Sequence, residues 1–295
     1  MVAVKPVTAS RWARVGDYDV HYLTAEHPGA TSVSAEPPVV FLHGFGAWSE
    51  VVWSRTLAAL AETHRTLAPD MVGFGLSTKP RIDHFRPEDP LEGPVKDLRA
   101  FLDATRVPRA TLVGHSFGGG VALRFALDNP DRVHKLVLVD SMGLGRSIHY
   151  VYKALAFPVL GTQLSRPHRG RIERMWRMIV QDPALITPEI IERNYELLSA
   201  PGAADVFATA RLGVDAVGQR LVMRDRLGEV KLPTLVVWGR DDRIFPVRHG
   251  KRAVKLLPKA RLEILDDCGH VPPFERPDAF NATLLRFLRN GTAPA

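Results

Sequence analysis

Three separated stretches of the chain carry residue types that could carry out acyl-transfer chemistry together. The most specific is Gly114-His115-Ser116-Phe117-Gly118, which follows the apolar run Ala110–Val113 and precedes a helical pattern through Val121–Leu127. A serine placed at a sharp strand-to-helix turn has a strained backbone, so its neighbours two residues away must be small. The helix that follows turns its first N–H groups and the positive end of its dipole toward any oxyanion forming at that serine. A hydroxyl is a poor nucleophile until a base takes its proton, and the base needs an acid to hold its tautomer.

Eleven histidines compete for the role of base. His270 stands in Asp267-Cys268-Gly269-His270-Val271-Pro272-Pro273, after the last strand-like run, in a loop whose glycine and prolines fix its shape. His21 and His64 fall within or beside strands, while His84, His149, His168 and His249 occupy polar stretches expected at the surface. His43 ends the run Val39–Leu42 and is expected to brace the loop after it; His115 is expected to point away from Ser116. For the acid, Asp241 and Asp242 both lie in Gly239–Pro246 after the run Thr234–Trp238, with Asp242 preferred and Asp241 its chief rival. Asp140, at the end of Lys135–Val139, is expected to cap or bind backbone there.

These segments need a frame. Short unbroken apolar runs at 39–42, 65–68, 110–113, 135–139, 234–238 and 261–265 suit strands buried on both faces of a parallel sheet. Between them Leu57/Leu60/Ala61, Val95/Leu98/Leu102 and Val121/Ala122/Phe125/Ala126 recur at helical spacing, and Asn129-Pro130 stops the last of these. Strands alternating with helices of this length mean βαβ crossovers and an α/β fold. Arg11–Val15 and Val20–Leu23 around Gly16-Asp17 read as an N-terminal hairpin. The rhythm breaks after Ser141 and resumes near Leu232, with helical patterns at 171–180 and 188–198 and no strands between. The expected organisation is one α/β core, 1–140 with 229–295, and an all-helical insert, 141–228.

Composition agrees with such a molecule. The chain has 295 residues, 45% apolar and 24% charged, which excludes disorder and collagen-like classes. No apolar run approaches the roughly 18 residues of a membrane span, and no secretory signal is visible at Met1–Trp12. A single cysteine, Cys268, permits no internal disulfide and is expected to be a buried small residue. A cytoplasmic location is the expectation. No His and Cys have metal-ligand spacing and no Gly-x-Gly-x-x-Gly follows a strand, so neither a metal nor another cofactor is expected. The net charge of +7 is concentrated between Arg146 and Arg177, where Arg146, Lys153, Arg166, Arg169, Arg171, Arg174 and Arg177 face only Glu173. This is a patch on one insert, not a nucleic-acid footprint.

The order Ser116, Asp242, His270 on strand-end loops resembles the α/β-hydrolase fold superfamily over nearly the whole chain. His43-Gly44-Phe45-Gly46, Asp70-Met71-Val72-Gly73-Phe74-Gly75-Leu76-Ser77, Gly114–Gly118 and Gly269-His270 are the matching motifs. The resemblance implies a mostly parallel eight-stranded sheet with helices on both faces and a helical lid inserted after strand 6. Its Gly-x-x-Asp-x-x-x-Pro spacing selects Asp242, between Gly239 and Pro246. It implies that the backbone N–H groups of Phe45 and Phe117 form an oxyanion hole. A serine nucleophile argues against the dehalogenase and epoxide hydrolase branches, which use aspartate there.

Gly44, Trp48, Met142, Trp176 and Val271 are the expected substrate-binding residues, with Tyr150, Met175 and Phe207 as further lining candidates. The main expectation is a serine hydrolase of a small to medium apolar carboxylic ester. A second is a carbon–carbon hydrolase of a meta-cleavage dienoate, because Asp182–Glu189 followed by Arg193 is similar to those enzymes. Against it, such enzymes usually carry Asn at His115 and Trp at Val271, and Arg193 is one position out of step with their substrate arginine. The third is a non-catalytic receptor or scaffold with this fold. The expected partner is a small-molecule substrate, with weak contact to an anionic membrane surface through the basic lid; oligomeric state stays open.

Overall fold

The alternation of short apolar runs with helical stretches resolves into a single sheet. The computed structural model describes residues 7–26, 36–81, 84–86 and 88–290. Its strands are β1 (Val7–Val15), β2 (Tyr18–Glu26), β3 (Val39–Leu42), β4 (Thr66–Pro69), β5 (Ala110–His115), β6 (Val133–Val139), β7 (Thr234–Gly239) and β8 (Ala260–Leu265). They lie in the order β1-β2-β4-β3-β5-β6-β7-β8. β2 pairs antiparallel with β1 and β4, and the pairings from β4 to β8 are parallel. Every residue of β3, β4, β5 and β7 is buried, as unbroken apolar runs require. β8 departs from that expectation. It is half-buried along its whole length because it is the edge strand, paired only with β7.

The helices of the core are α1 (Ser49–Leu60), α2 (Glu92–Ala104) and α3 (Phe117–Asp128). Between β6 and β7 come α4 (Tyr150–Lys153), α5 (Pro158–Ser165), α6 (Arg169–Ile179), α7 (Pro188–Ser199) and α8 (Ala203–Ala208). After β7 follow α9 (Arg248–Ala253), α10 (Pro272–Glu275) and α11 (Pro277–Asn290). The insert is helical apart from one isolated antiparallel bridge, Val214 with Gln219, a small correction to the all-helical expectation. α11 adds a helix beyond the expected elements, with Phe280, Leu284, Phe287 and Leu288 burying one of its faces at helical spacing.

The topology decides where a site can form. The β3–α1–β4 crossover moves one way along the sheet and the β5–α3–β6 crossover the other. Right-handed crossovers therefore put α1 and α3 on opposite faces, and α2, which leads from β4 over β3 to β5, packs with α3. Between the C-terminal ends of β3 and β5 the chain diverges to both faces and leaves a crevice. The loops beginning at His43 and Ser116 flank that crevice, and the insert after β6 packs onto the loop beyond β3. Among the described residues no helix is long and apolar enough to cross a membrane.

Candidate active site

Ser116 occupies the turn between β5 and α3 with φ +53° and ψ −114°. For a residue with a side chain this backbone costs roughly 1–3 kcal/mol and persists only where the surroundings enforce it. The Ser116 N–H donates to the Val139 carbonyl of β6 (2.9 Å), and its own carbonyl accepts from the N–H groups of Gly119 (3.0 Å) and Met142 (2.9 Å). The flanking glycines are sterically required. A Cβ on Gly114 would sit 2.3 Å from the Gly118 carbonyl oxygen, and one on Gly118 would sit 2.5 Å from that of Leu42. The start of α3 thus rests directly on the end of β3.

The bend aims the hydroxyl at His270. Ser116 Oγ lies 3.0 Å from His270 Nε2, and His270 Nδ1 lies 2.9 Å from Asp242 Oδ2. The carboxylate can only accept, so the imidazole proton sits on Nδ1 and Nε2 is free to accept the hydroxyl proton. Asp242 is fixed in turn by the N–H groups of Ile244 (2.7 Å) and Phe245 (3.1 Å), which both donate to Oδ1. Asp241 is half-exposed and does not reach the imidazole; its backbone N–H donates to Cys268.

Two acids that sequence patterns did not place in the site complete the support. Glu275 is buried, and its carboxylate accepts from the N–H groups of Gly269 (2.9 Å), Val271 (2.8 Å) and Gln181 (2.7 Å). It clamps the loop on both sides of His270 and ties that loop to the insert. Asp140, expected only to bind backbone, does so through the Gly239 N–H (3.1 Å), but it also stands beside Asp242. It is fully buried at φ +43°. Burial, reinforced by the Asp242 charge, holds its carboxyl well above the usual range and favours its protonated form beside Asp242. Asp140, Asp242 and His270 present ligand atoms within 4.8 Å of one another, the spacing a metal ion would use. Asp140 is already engaged with the Gly239 N–H and Asp242 with His270 Nδ1.

Other histidines have different work. His43 Nδ1–H donates to the Gly44 carbonyl (2.8 Å) and its Nε2 accepts from the Met71 N–H (3.0 Å), bracing the loop after β3. His115 Nε2–H donates to the His270 carbonyl (2.7 Å); burial, with His270 nearby, pushes its pKa well down and keeps it neutral. His249, expected at the surface, is buried instead, its ring stacked near Phe245. Burial likewise pushes the Cys268 thiol up and leaves it unsuited to attack.

The serine opens into a cavity of about 120 Å³. Gly44, Phe45, Phe117, Met142, Trp176 and Val271 line it, together with Met175. The remaining expected pocket residues lie elsewhere. Trp48 is buried against Trp176 with ring centroids 6.3 Å apart and does not border the cavity. Tyr150 is 73% exposed, and Phe207 packs against Phe45 outside the cavity. Tyr152, missed in the sequence, does line the cavity, and burial raises its phenol to about 12. No Lys, Arg, Asp or Glu lines the cavity among the described residues. Arg193 faces outward to Glu196 (3.1 Å), whereas its neighbour Asn194 is buried. Asn194 accepts from Trp176 Nε1 (2.9 Å) and donates to the Gly46 carbonyl (3.1 Å), joining α6 and α7 to the loop after β3. Among the described residues the N–H groups of Phe45 and Phe117 have no acceptor and lie beside the serine.

Known proteins share the fold of this chain. A family model described as the alpha/beta hydrolase fold matches residues 37–277. The chain is 33% identical to a 2-hydroxy-6-oxo-6-phenylhexa-2,4-dienoate hydrolase of Burkholderia cepacia, covering 86% of this chain and 88% of that protein. It is 32% identical to a 2-hydroxy-6-oxo-2,4-heptadienoate hydrolase of Pseudomonas putida, covering 87% and 90%. Among solved structures, a 2-hydroxy-6-oxo-6-phenylhexa-2,4-dienoate hydrolase from Rhodococcus sp. strain RHA1 superposes with a TM-score of 0.80 at 27% identity, covering 96% of this chain and 99% of that one.

Proposed function

The chain belongs to the α/β-hydrolase fold family, and on that premise we propose that it is a serine hydrolase that cleaves carboxylic esters of apolar, uncharged groups at the reacting centre. One observation carries the reading: the Ser116–His270–Asp242 chain of hydrogen bonds opens into a cavity with apolar walls and no charged lining among the described residues. Such a pocket binds by excluding water and offers no cationic side chain to compensate a substrate anion beside the scissile carbonyl.

In this reading His270 Nε2 takes the proton of Ser116 Oγ as the oxygen attacks the ester carbonyl. The N–H groups of Phe45 and Phe117 receive the oxyanion, while Asp242 stabilises the imidazolium through Nδ1–H. His270 then gives its proton to the departing alkoxide, leaving an acyl group on Ser116. A water, deprotonated by His270, releases the acid and restores the hydroxyl. The insert, residues 141–228, acts as a lid that roofs the serine and limits substrate size.

The relatives favour a second reading. Two proteins 32–33% identical to this chain are named as dienoate hydrolases, and the same nucleophile and base would serve a carbon–carbon bond next to a carbonyl. Against it, the one-residue offset noted in the sequence places buried Asn194, not Arg193, on the inner face of α7.

A panel of 4-nitrophenyl esters of increasing acyl length, run beside a coloured meta-cleavage dienoate, separates the two. Ester turnover exceeding dienoate turnover, and lost in Ser116→Ala, is the expected result. Dienoate turnover far above any ester would replace the first reading by the second. Folded protein that neither turns over the panel nor accepts a fluorophosphonate at Ser116 would remove both and leave a binding role.

A further inference from the structure

A second cavity, of about 210 Å³, lies inside the helical insert. Tyr152 and Met175 line both this space and the cavity over Ser116, so these two side chains form the partition between them. Ile172, Met178, Leu198 and Phe207 give this space apolar walls, and Arg166, His168, Arg171 and Arg174 add polar groups to its lining.

These arginines differ from the others of the insert. Arg146 pairs with Asp215, Arg169 with Glu192, Arg177 with Glu173 and Arg193 with Glu196. Arg166, Arg171 and Arg174 meet no carboxylate among the described residues. Arg171 Nη2 donates to the Arg166 carbonyl (2.7 Å), but its Nε is buried without a hydrogen-bond partner. A buried guanidinium donor with no acceptor is unfavourable and is relieved by an anion. Apolar walls call for an alkyl chain, and the buried, unpartnered Arg171 Nε, with the exposed Arg166 and Arg174 at the same lining, calls for an acidic group on it.

We propose that the inner cavity binds the alkyl chain of an anionic amphiphile, with its carboxylate or phosphate held by Arg166, Arg171 and Arg174. Resting on the hydrolase reading, the substrate class is then an ester whose chain passes between Tyr152 and Met175 and carries an acidic group remote from the scissile bond. The reacting centre stays in the uncharged pocket while the far end meets the arginines. Met175, unbranched and adaptable, suits a partition that must yield to a chain.

Binding is measured by calorimetry on Ser116→Ala, so that no turnover is involved, with dodecanoate, dodecyl phosphate and dodecanol as probes. Both anions are expected to bind roughly tenfold or more tightly than dodecanol, the gain of a charge-assisted hydrogen bond. Affinity should rise by about fourfold per methylene from octanoate upward until the cavity is filled. The relative strength of carboxylate and phosphate assigns the head group. The preference for anions should vanish when Arg166→Gln, Arg171→Gln and Arg174→Gln are combined, and Met178→Trp, which fills the cavity, should abolish binding of all three probes. Equal affinity for dodecanol and dodecanoate, or an undiminished preference in the triple variant, would overturn the site. In the wild type, mono-4-nitrophenyl esters of long diacids should outpace the matching fatty esters. Equal rates would overturn the substrate class, whereas binding without any turnover would leave the cavity standing and remove the hydrolase reading.

Discussion

At Ser116 the backbone, not the side chain, is the unusual feature: φ +53° turns the hydroxyl out of the helix and toward His270. Replacing Ser116 by Ala is expected to lower kcat/KM for the best ester by roughly 10⁴-fold or more, and Asp242→Asn by about 10⁴-fold through the wrong tautomer. Steady-state kinetics on protein with an unchanged melting temperature checks both. Asp140 makes a different prediction. Its carboxyl has a raised pKa in the fold, against 3.8 for an ordinary aspartate. Such a group favours the folded state below its unfolded value and loses that contribution as pH rises toward the folded one. Asn at 140 keeps an acceptor for the Gly239 N–H and a donor for Asp242 without that loss. Asp140→Asn is therefore expected to raise the melting temperature at pH 7, with the gain fading as pH falls to about 4. Asp140→Leu, which leaves the Gly239 N–H unsatisfied, should lower it at both pH values.

Among the elements, the insert is tied to the core at few points. Asn194 on α7 links Trp176 of α6 to the Gly46 carbonyl, and Glu275 on α10 links Gln181 to the loop of His270. Asn194→Ala leaves a buried indole N–H and a buried carbonyl unsatisfied, an expected loss of about 1–3 kcal/mol in urea unfolding. Because the same change loosens the roof over the cavity, KM for a medium-chain ester should rise more than kcat falls. A fall in kcat alone would show that α7 bears on the chemistry and not on substrate enclosure. The contact between α3 and β3 tolerates less. Gly118→Ala drives a methyl into the carbonyls of Leu42 and His43 and should prevent recovery of soluble, folded protein.

The whole molecule hides several histidines from protons. Burial lowers the pKa of His43 and His115, and that of His249 to about 4, against 6.5 for a free imidazole. The unfolded chain binds protons that the folded one refuses, so their contribution is present above pH 6.5 and is lost as pH falls toward about 4. The urea midpoint is expected to drop steadily from pH 7 to pH 5. A flat midpoint over that interval would mean that these histidines protonate in place. The same global arrangement explains the charge distribution. Arg146 and Arg169 find acids from later in the chain, Asp215 and Glu192, so the basic stretch is less bare in space than along the sequence.

The sequence by itself determined the elbow, because Gly114 and Gly118 are demanded by contacts within a few residues of Ser116 or with the adjacent strand end. It determined β3 to β7, because burial on both faces leaves an unbroken apolar run, and it ranked His270 and Asp242 ahead of their rivals. It misjudged β8, whose edge position is a property of the sheet and not of its own residues. Only the tertiary structure decided the neighbours that bear on those groups from far along the chain. Glu275 looks like any helical acid until three N–H groups converge on it, and the Asp140 pKa rises because the ends of β6 and β7 bury the carboxyl and bring it beside Asp242. Trp48 and Tyr150 carry the same kind of signal as Trp176 and Tyr152, yet one pair misses the cavity and the other lines it. Side-chain type and spacing follow local geometry, whereas burial, partner and protonation depend on what the rest of the fold packs alongside.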